Sequence, residues 1–338
     1  MPREPQMRHS PEFDLIAAIR ERLRPPHGRG QGHVVGIGDD AAVTVPAGAT
    51  ATSVDAVVDG VHFRRRWCPP EAIGHKALAV ALSDLAAMGA RAGEAYVWLG
   101  LPEDLSDGEV LEICDGLADC AKQTGVVLLG GDLTVAPALA LCITVVGHAP
   151  TAAALVGRDG ALEGQAVCLT GALGGAAAGL MLLEDPRLGD AIREPARRVL
   201  LDAHLRPEPR LREGAALAAA GAVAMVDISD GFGADLEQLA AASGVGIEIE
   251  MGQVPLVEGV EEVSAASGRD RFEIALGGED YELLSVLPRE RVGAAIEAVA
   301  SLGCEFAEVG RIVSGSGVRL RPPDGRAIPV LGHDHLRR

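Results

Sequence analysis

The sequence predicts an α+β protein of two mixed domains, and three observations predict it. Helical and strand patterns mix along the chain without the strict β-α-β alternation of a doubly wound sheet. At 338 residues the chain is long for one core and comfortable for two. Pro150 closes an apolar strand where the pattern changes. It divides the chain into a leader helix and flexible loop (1–32), an N-terminal domain (33–150) and a C-terminal domain (151–338).

The elements follow in order. Apolar residues at helical spacing over 11–23 predict a first helix, and the Pro/Gly-rich stretch 24–32 a mobile loop. Two strands are expected near 33–45 and 50–58. Residues 69–90 read as a long helix, with Pro70 at its start and Gly89 at its end. "EAYVWLGLP" is a strand, "DGEVLEICDGLADCAKQTG" a helix closed by Gly125, and "VVLLGGDLT" a strand running into a glycine turn. Residues 138–150 read as a buried strand. The second half begins with loop, strand, glycine turn and helix over 156–183. A proline-broken segment then leads into a helix (204–221), and 222–244 reads as strand, acidic turn and helix. "VGIEIEM" is a period-2 strand, and "ALGGEDYELLSVLP" is a turn into another.

Composition limits the function. A net charge of −18 disfavours nucleic acid and anionic membrane as partners, because both need basic surface. Six cysteines lie scattered, with no C-x-x-C pair, as buried free thiols in a reducing cytosol would. The N-terminus carries charges where a signal peptide needs an apolar run, and no stretch is long enough to span a bilayer. The expected location is cytoplasmic.

Recurring acidic turns carry the chemistry. An apolar strand or helix delivers an aspartate in "GIGDDAAV" (Asp39, Asp40), "TSVDAVVDGVHF" (Ser53, Asp55, Asp59, His62) and "ALSDLAAMG" (Asp84). The pattern returns in "LLGGDLT" (Asp132), "MVDISDGFG" (Asp227, Ser229, Asp230) and "GGEDYEL" (Glu279, Asp280). An aspartate after glycine often only shapes its own turn. Asp230 or Ser229 could equally be the N-cap of the following helix. Asp84 is different, since it sits inside an Ala/Leu-rich helix where an unpaired carboxylate costs stability. Several aspartates without cysteine pairs point to Mg²⁺ rather than zinc. The glycine pairs 130–131, 174–175 and 277–278 would let backbone approach a phosphate. "GIGDDA" matches a dinucleotide fingerprint, but that fingerprint needs a helix directly after its glycines, and strand and turn patterns follow instead. P-loop and protein-kinase signatures are lacking as well.

Taken together, "GIGDDAAV", "GVHF", "KALAVALSDLAAMGA", "LLGGDLT", "HLRPEPR", "DISDGFGADL" and "GGEDYEL" resemble the thiamine-monophosphate kinase family. That family belongs to the ATP-binding superfamily of aminoimidazole ribonucleotide synthetase and selenophosphate synthetase. The resemblance covers roughly residues 12–336. It implies two domains of the aminoimidazole ribonucleotide synthetase-like type, with N-terminal domains paired in a dimer β-barrel. It also implies phosphorylation of thiamine monophosphate by ATP with several Mg²⁺ ions in a homodimer. By motif position, Asp40, Ser53, Val54, Asp55, Asp84, Asp132, Asp227 and Asp230 fall on metal-binding positions, with Val54 contributing backbone only. Asp84, Asp132 and Asp230 are the catalytic choices. Gly130, Gly131, Asp132, Arg158 and Ser229 fall where nucleotide phosphates are held, and His62, Glu279 and His333 where the substrate is held.

The chain departs from the family in three places. It reads "LGHDHL" where relatives often carry an aromatic, leaving His333 to substitute. Val54 stands where relatives can have threonine, and the Arg158 loop is one residue longer. Without the resemblance, Arg158 reads as a solvated loop arginine, His62 as a strand-end polar residue, Lys76 as a helix-surface charge and Glu279 as a turn carboxylate. The alternatives are another ATP-dependent member of the superfamily, or a non-catalytic acidic module that binds divalent metal.

Overall fold

The computed structural model describes residues 11–23, 33–35, 37, 41–326 and 328. The first helix forms as expected, α1 (Pro11–Arg22). The expected strand 33–45 is instead a short antiparallel pair, β1 (His33–Val35) and β2 (Val43–Thr44). Then come β3 (Ala49–Val58), α2 (Pro70–Ala87), β4 (Arg91–Leu101) and α3 (Asp107–Thr124). A capping box starts α3. Ser106 Oγ accepts the Glu109 N–H at 3.3 Å, and Glu109 Oε2 accepts the Ser106 N–H at 2.9 Å. Gly125, at φ +78°, ends it in the left-handed region that glycine enters without strain.

β5 (Val127–Val135) corrects an expectation, because the strand runs straight through Gly130 and Gly131 where a turn was expected. Parallel pairing with β4 holds it extended, with a bulge beside Ala95 and Tyr96. β6 (Ala140–Ala149) also differs from its reading as a buried strand: its residues alternate between buried and half-buried. The four strands pair in the order β3-β6-β4-β5.

The rest of the chain contributes β7 (Ala166–Thr170), α4 (Gly175–Glu184), α5 (Ala196–Leu205), α6 (Leu211–Ala220), β8 (Ala224–Asp227) and α7 (Phe232–Ser243). β9 (Gly246–Glu250), α8 (Val260–Ser267), α9 (Arg271–Leu276), β10 (Leu283–Leu287), α10 (Arg289–Ala300), β11 (Phe306–Val313) and β12 (Gly317–Arg321) complete it. Six strands form a mixed sheet in the order β12-β9-β11-β7-β10-β8. Only β12 and β9 run parallel in it, and the other neighbours are antiparallel. Mixed sheets with helices between them are the expected α+β class.

β9 forms where the period-2 pattern placed it, with residues 246–249 buried and Glu250 exposed. Glu248 is buried because Arg311, Arg319 and Arg321 reach across it at 2.7, 3.2 and 2.7 Å. Apolar side chains from β7, β8, β9 and β10 meet Phe232, Leu236 and Leu239 of α7 in one core. Burying each large side chain there contributes about 1.5–3 kcal/mol.

The chain separates into two compact units. One comprises residues 1–45, 56–78 and 94–143; the other comprises 46–55, 79–93 and 144–338. The second unit therefore gathers Ser53, Asp55 and Asp84 with the strands of the second half.

Candidate active site

The second unit is organised around Ser83 and Asp84 near the end of α2. Alanine and leucine cover the buried faces of this helix, which places two polar residues where most neighbours are apolar. Each finds a different partner. Ser53 Oγ on β3 donates to Asp84 Oδ2. Ser83 Oγ donates to Asp227 Oδ2 at 2.7 Å, joining positions 144 residues apart.

Asp227 ends β8 with 2% of its surface exposed. Its second oxygen, Oδ1, has no hydrogen-bond donor among the described residues. Burial raises its carboxyl to about 6, and the Asp84 charge adds to the rise. The Ser83 hydrogen bond and the charge of Arg158 oppose it. A buried carboxylate oxygen left without a donor is costly in itself and is suited to a hard cation.

The acidic turn after β8 is held from below. Gly231 starts α7 at φ +106°, and a Cβ there would lie 2.5 Å from the Leu276 carbonyl. Neither Ser229 nor Asp230 caps the helix, contrary to that sequence reading: Gly231 is the N-cap and makes no side-chain bond. The Asp235 carboxylate instead accepts the N–H groups of Ser229 and Asp230 at 3.0 and 3.1 Å. Asp235 is buried, and burial with the nearby Asp227 and Asp230 charges pushes it up to about 8. Sequence reasoning missed this residue, whose only local signal is an aspartate in the first turn after "DGFG". Ser229 is exposed, Asp230 half-buried, and Arg158 exposed on its loop, where its carbonyl accepts Ser243 Oγ at 3.0 Å.

Glu279, Asp280 and Glu282 flank this turn through the loop before β10. Asp280 accepts the N–H groups of Gly174 and Ala176 at 2.9 Å each, at the start of α4. Burial lifts its carboxyl to about 7 despite these bonds. The Tyr281 N–H donates to the Ile228 carbonyl at 2.9 Å, which ties the loop to the residue after Asp227. Glu282 is buried and receives Arg210 Nε at 2.8 Å, Arg210 Nη2 at 2.6 Å and Thr170 Oγ1 at 2.7 Å. Arg210, from the "HLRPEPR" motif, is thereby a structural partner of the glutamate. Asp55 lies in this unit too, half-buried on β3, and its charge helps hold the Tyr281 phenol protonated.

Of the other predicted residues, His62, Asp59, Lys76, Gly130, Gly131 and Asp132 belong to the first unit and Val54 to the second. His62 Nδ1 accepts the Val58 N–H at 3.1 Å, so this nitrogen is an acceptor at the strand end. Asp59 Oδ1 accepts the Arg65 N–H at 3.1 Å, the turn role expected of such an aspartate. Gly131 has no room for a side chain, since a Cβ would meet the Val97 carbonyl at 2.1 Å. Gly130, Gly131 and the exposed Asp132 line a cavity of about 140 Å³ with Ile16 and Ile19 of α1, Leu23 just after it, and Val97 and Leu99 of β4. Val54 is 60% exposed and points away from Ser53 and Asp55, as β-strand alternation requires. Lys76 is buried, where a helix-surface charge was expected. Asp39, Asp40 and His333 lie outside the described residues.

All six cysteines are free thiols. Burial pushes Cys114 and Cys168 up to about 12, so neither is a nucleophile near neutral pH. Among the described residues no three acidic, imidazole or thiol groups surround one point. Mg²⁺ does not require such a cage, for it commonly takes one or two carboxylates and completes its shell with water and phosphate. Asp227 with its unpartnered oxygen, and Asp84 beside it in charge, fit that pattern.

Comparison with known proteins gives the wider context. The family model "AIR synthase related protein, N-terminal domain" matches residues 38–149, and its C-terminal counterpart matches 163–322. The chain is 36% identical over 297 residues to thiamine-monophosphate kinase of Rhodopirellula baltica, covering 84% of this chain and 85% of that one. The crystal structure of the Stenotrophomonas maltophilia K279a thiamine-monophosphate kinase is 35% identical, with a TM-score of 0.82. It covers 94% of this chain and 98% of that one. The structure of AaThiL complexed with AMPPCP and TMP is 33% identical, with a TM-score of 0.76 over 98% of this chain and all of that one.

Proposed function

The chain belongs to the thiamine-monophosphate kinase family, and from that premise we propose that it transfers the terminal phosphoryl group of ATP to thiamine monophosphate, yielding thiamine diphosphate. The observation that carries the reading to this chain's own residues is the acidic pair Asp84 and Asp227, with Asp227 Oδ1 buried and lacking a donor. The AaThiL complex with AMPPCP and TMP supports the same pair of substrates.

The chemistry asks little covalent help of the protein. The acceptor is a phosphate monoester, already ionised near neutral pH, so no general base is needed. The difficulty is bringing two anions together in line. Asp84, Asp132 and Asp230 are the residues we assign to that task. Asp40, Ser53, Asp55 and Asp227, with the Val54 backbone, complete the oxygen donors that would hold Mg²⁺. Bound Mg²⁺ would neutralise phosphate charge and bridge the two substrates. Gly130, Gly131, Asp132, Arg158 and Ser229 hold the nucleotide phosphates, with Arg158 offering a two-pronged contact. Ser229 suits this role, because Asp235 fixes its backbone from below while its side chain stays exposed. His62, Glu279 and His333 hold thiamine monophosphate.

In this reading residues 33–150 form the ATP- and Mg²⁺-binding domain, and residues 151–338 complete the phosphate and substrate site behind the leader 1–32. The enzyme works in the cytoplasm as a homodimer paired through N-terminal sheets. Exposed Val54, Val61 and Val135 are apolar surface that such pairing would cover. Among the described residues no helix is long and apolar enough to cross a membrane.

The test is incubation with ATP, Mg²⁺ and either thiamine or thiamine monophosphate, followed by separation of products. Diphosphate formed from the monophosphate alone is the expected result. No product from either acceptor would sink the reading and leave a metal-binding module.

A further inference from the structure

Glu279 sits in a frame that phosphoryl transfer leaves unexplained. Its two successors are committed elsewhere, Asp280 to the start of α4 and the Tyr281 N–H to Ile228. Among the described residues Tyr281 is the one non-glycine residue in the left-handed region, at φ +53°. A bulky side chain stays in that conformation only when its surroundings hold it there, and such strain gathers at functional sites. A turn wanted for the fold alone would be served by glycine.

The tyrosine does something glycine cannot. Its ring is buried at 4% exposure, and its hydroxyl donates to Glu279 Oε2, two residues back, at 3.1 Å. The other oxygen, Oε1, lies 3.6 Å from Nδ1 of His204, a buried residue in the last turn of α5. The glutamate side chain nevertheless keeps 26% of its surface open. The carboxylate is therefore hydrogen-bonded through one oxygen, faces the His204 ring with the other from beyond hydrogen-bond reach, and is still open to a ligand.

We propose that Tyr281 and His204 are positioning residues, which hold the Glu279 carboxylate in one orientation toward the cationic ring of thiamine monophosphate. They thereby set the affinity for that substrate and not for ATP. A carboxylate already held in its binding orientation loses no rotamer freedom when the ligand arrives, and that saving appears as affinity. This rests on the kinase reading and on Glu279 as a substrate contact, and it adds the residues that make the contact selective.

The experiment measures KM for each substrate separately, with thermal midpoints, in Tyr281→Phe, His204→Gln, Glu279→Gln and the Tyr281→Phe/Glu279→Gln double variant. Glu279→Gln raises KM for thiamine monophosphate. Tyr281→Phe raises it by about tenfold, the scale of one hydrogen bond to a charged group, and His204→Gln raises it by a smaller factor. KM for ATP and the thermal midpoint stay near wild type, and Tyr281→Phe adds nothing in the Glu279→Gln background. If Glu279→Gln raises KM while the other two leave it unchanged, the positioning role is overturned. It is also overturned if both KM values rise together, as a merely structural role would have them do. An unchanged KM in Glu279→Gln removes Glu279 itself, and this proposal with it. Absence of turnover in the wild-type enzyme is a distinct result that sinks the kinase reading. Should Tyr281→Phe fail to fold, His204→Gln decides alone.

Discussion

Asp84→Asn separates function from fold, because the two should move in opposite directions. The asparagine carbonyl can still accept Ser53 Oγ, and aspartate and asparagine have similar helix propensity, so local structure is retained. What is lost is a negative charge beside Asp227. Burial and the Asp84 charge raise the Asp227 carboxyl to about 6 from an ordinary 3.8. Burial is the larger cause and the Asp84 charge the second, and the repulsion of two nearby like charges in a partly solvated site is on the order of 1 kcal/mol. In metal-free buffer above pH 7 the Asp227 carboxyl is ionised in the wild type and is repelled by the Asp84 charge. The variant should therefore be more stable by about 1 kcal/mol, raising Tm by about 2 °C in a chain of this size. With ATP, Mg²⁺ and thiamine monophosphate its turnover should fall on the order of a thousandfold, as when one charge-stabilising group leaves an active site. Added Mg²⁺ should also stabilise the wild type more than the variant. The assays are product separation and thermal melts with and without Mg²⁺. Retained turnover, or a loss of stability greater than about 1 kcal/mol, would refute the reasoning by making Asp84 a structural residue.

Two further predictions concern the frame around the site. Arg210→Met leaves Glu282 buried without its two-pronged partner and should cost about 3–5 kcal/mol in urea unfolding, with Glu282→Gln in the same chain restoring much of it; a cost below about 1 kcal/mol would show that the pair is not buried in the sense argued. Asp280 carries a folded-state value of about 7 against an ordinary 3.8, so the folded protein keeps a proton that the unfolded chain releases. Stability in metal-free buffer should accordingly fall as pH rises through that window, and more gently in Asp280→Asn, as melts between pH 5 and 8 would record; identical slopes would refute it.

Much of this protein is determined by sequence alone, for reasons that are local. Spacing, capping residues and glycines predict α1, α2, α3 and the strand–turn–helix over 222–244, and the structure has them at nearly those limits. Asp84 stood out because a charge inside an apolar helix needs a reason, and its neighbour Ser53 supplies one. What only the tertiary structure decided depends on partners far apart in the chain. Gly130 and Gly131 stay extended because β4 lies against them, where local propensity favoured a turn. Ser83 meets Asp227 across 144 residues, and no spacing rule foretells that meeting or the oxygen it leaves without a donor. The acidic turn is shaped by Asp235 instead of its own Ser229 and Asp230, because a buried carboxylate could reach both backbone N–H groups once α7 had packed. Lys76 is buried and Glu248 is covered by three arginines, outcomes set by which surfaces close over them. Helix and strand follow from interactions a few residues long, whereas burial, and with it the charge state of each carboxylate, is a property of the assembled fold.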